Sequence, residues 1–164
     1  MITLVLGGAR SGKSTLAEQL TEKLPEPITY VATLQLGDDP DLASRVRVHQ
    51  DRRPQGWLTV EAHRDLPDVV RRTAGSILLD SLGPWVAAHE TFAVDSEALC
   101  RALRDRDGDA IVVSEEVGLG VHPSSEAGRQ FRDALGSLNQ AVASVSDSVL
   151  LVVAGRALRL GEQF

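Results

Sequence analysis

The stretch Gly7-Gly8-Ala9-Arg10-Ser11-Gly12-Lys13-Ser14 decides the fold. It fits G-x-x-x-x-G-K-[ST], the P-loop pattern, which is informative only between a strand and a helix. Both flanks are present. Ile2-Thr3-Leu4-Val5-Leu6 is a short apolar run with three β-branched residues and predicts a buried strand. Residues 15–24 place Leu16, Leu20 and Leu24 at i, i+4 and i+8, which predicts an amphipathic helix. Successive N–H groups of such a loop and of the helix N-terminus point at phosphate oxygens. Lys13 adds a charge for the β- and γ-phosphates, and the Ser14 hydroxyl is a candidate Mg²⁺ ligand.

Outward from the loop, strands alternate with helices. Apolar runs predict strands over 28–33, 57–62, 76–80, 110–114 and 148–154, and helical periodicity marks 41–52, 65–72, 96–106 and 125–145. Residues 118–123 read as a loop. This alternation implies a single α/β domain over 1–164, with a mostly parallel sheet covered on both faces. Ligands of such sheets sit at the C-terminal ends of the strands. The P-loop, Thr33, Asp80 and Ser114 all stand at strand ends and are expected to converge on one edge.

The chain has 164 residues, 43% hydrophobic, which is enough for a real core. Aromatics are only 4%, so that core is expected to be Val, Leu, Ile and Ala. A net charge of −6 argues against a nucleic-acid partner, which calls for a basic surface. Cys100 is the single cysteine, so no disulfide framework or Cys-rich metal site exists. No apolar run approaches the ~20 residues of a membrane span. The first strand starts at residue 2, leaving no signal peptide, so a cytoplasmic enzyme is expected.

Several residues outside the loop are suited to chemistry. Asp80 follows Ile77-Leu78-Leu79 in the manner of a Walker B carboxylate and is a candidate Mg²⁺ ligand; the alternative is an Asp capping a turn. Asp80-Ser81-Leu82-Gly83 also matches the D-x-x-G of switch GTPases, but no N-K-x-D guanine-reading motif accompanies it. Arg45, His49 and Arg53 recur at i, i+4 and i+8, a cationic strip able to face phosphates. His49 is then a nucleophile or general acid–base, or, sharing a face with Leu42 and Val46, a half-buried structural residue. Glu115-Glu116 offers a metal or substrate hydroxyls two carboxylates, or is surface charge. Two rival functions stay open on these residues alone: a P-loop kinase of small metabolites, and a nucleotide-dependent switch.

Taken together, the chain resembles the bifunctional adenosylcobinamide kinase/adenosylcobinamide-phosphate guanylyltransferases of cobalamin biosynthesis. The resemblance rests on residues 7–14, on Tyr30-Val31-Ala32-Thr33, on Arg45-Val46-Arg47-Val48-His49-Gln50-Asp51-Arg52-Arg53-Pro54 and on Trp57-Leu58-Thr59-Val60-Glu61. It continues through Glu116-Val117-Gly118-Leu119-Gly120, Phe131 to Gly136, Leu138-Asn139-Gln140 and Val152-Val153-Ala154-Gly155. It implies a RecA-like P-loop NTPase fold, a homotrimer, ATP and GTP as substrates with Mg²⁺, and a corrinoid as the second substrate. It implies that His49 carries the guanylyl group. It also implies that Thr33, Leu34, Gln35, Gln50, Asp51, Arg52, Arg53, Glu61 and Asp80 line the GTP site with the P-loop. The chain departs from the family's usual pattern at Gly83, Pro84 and Glu115, where the last replaces a usual Asn.

Overall fold

β1 (Ile2–Gly7) is buried along its whole length because it runs in the interior of a seven-stranded sheet. This computed structural model describes residues 1–34, 54 and 56–161. After β1 come α1 (Lys13–Thr21), β2 (Ile28–Ala32), β3 (Leu58–Glu61), α2 (Leu66–Arg72), β4 (Ser76–Asp80) and α3 (Leu82–Ala87). Then follow α4 (Ser96–Asp105), β5 (Ala110–Glu115), α5 (Glu126–Ser144), β6 (Ser148–Val153) and β7 (Arg156–Arg159). The strand order is β3-β2-β4-β5-β1-β6-β7. All pairings are parallel except β6 with β7.

Alternation along the strands sorts the core into two layers, as the period of 2 requires. Leu4 and Leu6 of β1, Ile77 and Leu79 of β4, and Val112 of β5 face α2, α3, α4 and α5, which supply Leu66, Val69, Trp85, Leu99, Leu103, Leu135 and Leu138. Val5, Leu78, Ile111 and Val113 face the other way, onto Ala17 of α1 with Leu16, Leu20, Leu24 and Trp57 at its margin. The expected mostly parallel α/β sheet is therefore observed. Its central strands are near-continuous apolar runs because both sides are dry.

Two elements depart from the sequence reading. α3 forms through Gly83-Pro84, in a stretch to which the sequence reading assigns no element. Proline is tolerated here because Pro84 falls in the first turn, where its missing N–H has no helical acceptor anyway. β7 was not expected. Ala154 and Gly155, both at positive φ (50° and 72°), form a two-residue hairpin that returns the chain as an antiparallel edge strand. Arg156, Ala157, Leu158 and Arg159 are all exposed, which hides the strand from a hydrophobicity pattern, and the two arginines blunt the open edge. The helix expected over 41–52 lies outside the described residues.

Candidate active site

The phosphate loop is built from close approaches that only glycine permits. A Cβ on Gly7 would stand 2.4 Å from Ser11 Oγ and 2.8 Å from the Val152 carbonyl oxygen. Gly12 has φ 96° and offers α1 no side-chain cap; the Lys13 N–H donates to Ser11 Oγ at 3.4 Å, and the next first-turn N–H groups have no acceptor within the helix. The loop closes on itself through Ser11 N–H to Gly8 C=O (3.3 Å), and Gly155 N–H donates to Ser11 C=O (2.8 Å) from the β6–β7 turn. Lys13 curls back over the loop, with Nζ 3.4 Å from the Gly8 carbonyl oxygen and 3.7 Å from Glu115 Oε1. Gly8, Ala9 and Arg10 are exposed at the mouth, while Gly12, Lys13 and Ser14 are half-buried.

Parallel pairing sets the ends of β2, β4 and β5 beside this loop. Asp80 ends β4, and its Oδ2 accepts a hydrogen bond from the Tyr30 hydroxyl at 2.9 Å. Thr33, just past β2, is buried; its Oγ1 accepts from Ser81 N–H (3.0 Å) and donates to the Ser81 carbonyl oxygen (2.5 Å). The Asp80–Ser81 peptide is cis. Thr33 thus fixes the backbone that follows Asp80. Leu34 is half-buried at the edge of the same region.

Glu115 is the residue that sequence reasoning left undecided between site and surface. Its Oε1 accepts from the Ser81 hydroxyl (2.8 Å) and its Oε2 from Gly83 N–H (3.0 Å). The carboxylate therefore caps α3, whose own Ser81 supplies no side-chain cap, and a carboxylate suits a helix N-terminus. With Lys13 added, one side chain on β5 ties the P-loop to the turn after Asp80. The neighbouring Glu116 turns instead to its own loop, accepting from Gly118 N–H at 2.7 Å. Ser114, expected at the edge, is buried inside β5 and donates to Asn139 Oδ1 (2.6 Å), while Asn139 Nδ2 donates to the Glu115 carbonyl oxygen (3.0 Å). Asn139 of α5 thus braces the strand end that carries Glu115. The signal that finds Glu115 is strand order: β5 lies between the strand of Asp80 and the strand of the P-loop.

Of the remaining candidates, Glu61 stands apart. Glu61 ends β3, is exposed, and lies 3.9 Å from His63 Nε2. Its strand is four positions from β1 in the sheet, roughly 19 Å at ~4.8 Å per step. Gln35, His49, Gln50, Asp51, Arg52 and Arg53 lie outside the described residues. Burial pushes the Cys100 thiol above its ordinary value, so it packs in α4 as a neutral group.

Comparison with known proteins finds relatives along nearly the whole chain. The family described as cobinamide kinase / cobinamide phosphate guanyltransferase matches residues 3–160. The bifunctional adenosylcobalamin biosynthesis protein CobP of Pseudomonas aeruginosa is 38% identical, covering 94% of each chain. The bifunctional adenosylcobalamin biosynthesis protein CobU of Salmonella typhimurium is 35% identical over 98% of this chain and 99% of its own; its Escherichia coli namesake is 31% identical over the same shares. Among solved structures, an ATPase of a bacterial type III secretion system superposes with a TM-score of 0.58 at 12% identity, over 92% of this chain. The chain spans 50% of that ATPase. The flagellar accessory protein FlaH of Methanocaldococcus jannaschii gives 0.53 at 14% identity, over 95% of this chain and 74% of its own. At such identities these two likenesses speak for the fold alone.

Proposed function

The chain belongs to the cobinamide kinase / cobinamide phosphate guanyltransferase family, and from that membership we propose that it performs two transfers at one nucleotide site. In the first, a hydroxyl oxygen of adenosylcobinamide attacks the γ-phosphorus of ATP or GTP. The bond to the β–γ bridging oxygen breaks, the nucleoside diphosphate leaves, and the hydroxyl proton is released. In the second, an imidazole nitrogen of His49 attacks the α-phosphorus of GTP and expels pyrophosphate. A phosphate oxygen of adenosylcobinamide phosphate then attacks the histidine-bound phosphorus, the imidazole leaves, and adenosylcobinamide-GDP forms. Covalent relay suits histidine because a neutral imidazole attacks phosphorus and is a good leaving group when returned as imidazolium.

The observation that carries the reading is the complete phosphate loop at a strand–helix junction, with uncapped helix N–H groups and Lys13 on the same sheet edge as Asp80. Phosphoryl transfer needs mainly positioning and charge stabilisation, and these groups supply both. The Ser14 hydroxyl and the Asp80 carboxylate are hard oxygen donors. Among the described residues no three or more His, Cys, Asp or Glu gather into a metal cage. Two protein oxygens completed by phosphates and water suit Mg²⁺, which would offset charge on the phosphates. Tyr30 and Thr33 hold Asp80 and the backbone after it in place. The role of His49 and of Gln35, Gln50, Asp51, Arg52 and Arg53 at the GTP site rests on the resemblance. So do the homotrimer and the cytoplasmic setting; no helix among the described residues is long and apolar enough to cross a membrane.

The test is intact-protein mass after incubation with GTP and Mg²⁺, beside a His49→Ala control. The expected result is a gain of one GMP that is acid-labile and absent from the control. A wild-type protein that binds GTP without any adduct would sink the relay and leave a kinase. An adduct that persists in His49→Ala would move the nucleophile elsewhere.

A further inference from the structure

Glu115 presents a carboxylate to the one lysine of the phosphate loop. The contact is longer (3.7 Å) than the same carboxylate's bonds to Ser81 (2.8 Å) and Gly83 (3.0 Å), and Lys13 is only 12% exposed. The short bonds hold the turn after Asp80; the long one is an ion pair without hydrogen-bond geometry. Resting on the nucleotide reading above, we propose that Glu115 is a positioning residue that acts through Lys13: it holds the lysine until a nucleotide binds and must then cede it to the incoming phosphates.

The physical argument is competition between anions. A phosphate bound at the loop and the Glu115 carboxylate both draw on the Lys13 ammonium, in a half-buried site where charge is weakly screened. Binding therefore exchanges one partner of Lys13 for another rather than adding a new one. The hydrogen bonds from Ser81 and Gly83 stay with the carboxylate throughout, so the turn after Asp80 keeps its anchor while the lysine moves. A glutamine at 115 keeps both anchors, because Oε1 can accept from Gly83 N–H while Nε2 donates to the Ser81 hydroxyl oxygen. Only the charge is lost.

The experiment is calorimetric titration of GTP and of ATP into the wild type, Glu115→Gln, Lys13→Ala and the double variant, with a melting curve for each. Glu115→Gln is expected to bind nucleotide about tenfold more tightly, the scale of one partly screened charge pair, with its melting temperature within a few degrees of wild type. Its nucleotide KM falls accordingly. In the Lys13→Ala background the same substitution is expected to change nothing, since the lysine through which it acts is gone. Glu115→Asn, a second way to remove the charge, is expected to move affinity in the same direction. Unchanged or weaker binding by Glu115→Gln overturns the proposal. So does an equal gain without Lys13, which would mean direct repulsion of phosphate. A wild type that binds neither nucleotide overturns the underlying functional reading instead, so the two failures are told apart.

Discussion

The two ends of the parallel sheet each gather around one charged side chain, and they use it in opposite ways. At the end where β4 and β5 begin, Arg106 donates to four backbone carbonyl oxygens: those of Gly108 (2.9 Å), Asp109 (2.8 Å), Thr73 (3.0 Å) and Gly75 (2.7 Å). Burial lowers its pKa, with Asp109 and Asp107 opposing the shift. The backbone there is packed to contact: a Cβ on Gly108 would fall 2.3 Å from the Gly75 carbonyl oxygen, and one on Gly75 2.3 Å from that of Pro27. The chain's amino terminus adds an ion pair to Asp109 at 2.7 Å. At the opposite end, Glu115 answers two donors at hydrogen-bond distance and one cation beyond it. One end is closed by permanent partners. The other keeps a cation and a row of helix N–H groups for something that arrives from solution.

That contrast is open to attack. The largest effect is expected from Lys13→Ala, which should lower kcat/KM for phosphoryl transfer about 10²–10³-fold while leaving the melting temperature near wild type. A large thermal loss would show that the site end is structural after all. Arg106→Met is expected to do the reverse. It strands carbonyl groups at the closed end and should cost about 2–3 kcal/mol, lowering the melting temperature by roughly 4–12 °C at unchanged kcat/KM. Gly83→Ala sits between the two, because its Cβ would lie 2.2 Å from Glu115 Oε2. It should cost about 1–3 kcal/mol in thermal unfolding and reduce activity as well, by displacing the carboxylate. The smallest effect is expected from Asn139→Ala, at about 1–2 kcal/mol with a few-fold loss of activity, since it removes support behind Glu115 but no group that meets a ligand.

The sequence carried the fold through its strands. Ile2 to Leu6, Ile77 to Leu79 and Ala110 to Val113 are buried on both sides, and that dryness is what runs broken only by Thr3 mean. The phosphate loop was equally legible because its chemistry is local. β7 and α3 were not. An exposed edge strand with arginine at both ends carries no burial signal, and α3 is capped by a carboxylate from another strand rather than by its own Ser81. Glu115 and Asn139 were readable only as residue types. Their meaning comes from β5 lying between β4 and β1, a neighbour relation that no linear spacing encodes. Tyr30 likewise reaches Asp80 only because β2 and β4 are paired.

The hairpin turn at Ala154-Gly155 has a practical side. Through Gly155 N–H it holds the Ser11 carbonyl oxygen, and a Cβ on Gly12 would sit only 3.4 Å from Gly155 Cα. The C-terminal flank of this protein is therefore no neutral place for cloning. A clone trimmed before residue 154 would lack the prop under the nucleotide cradle.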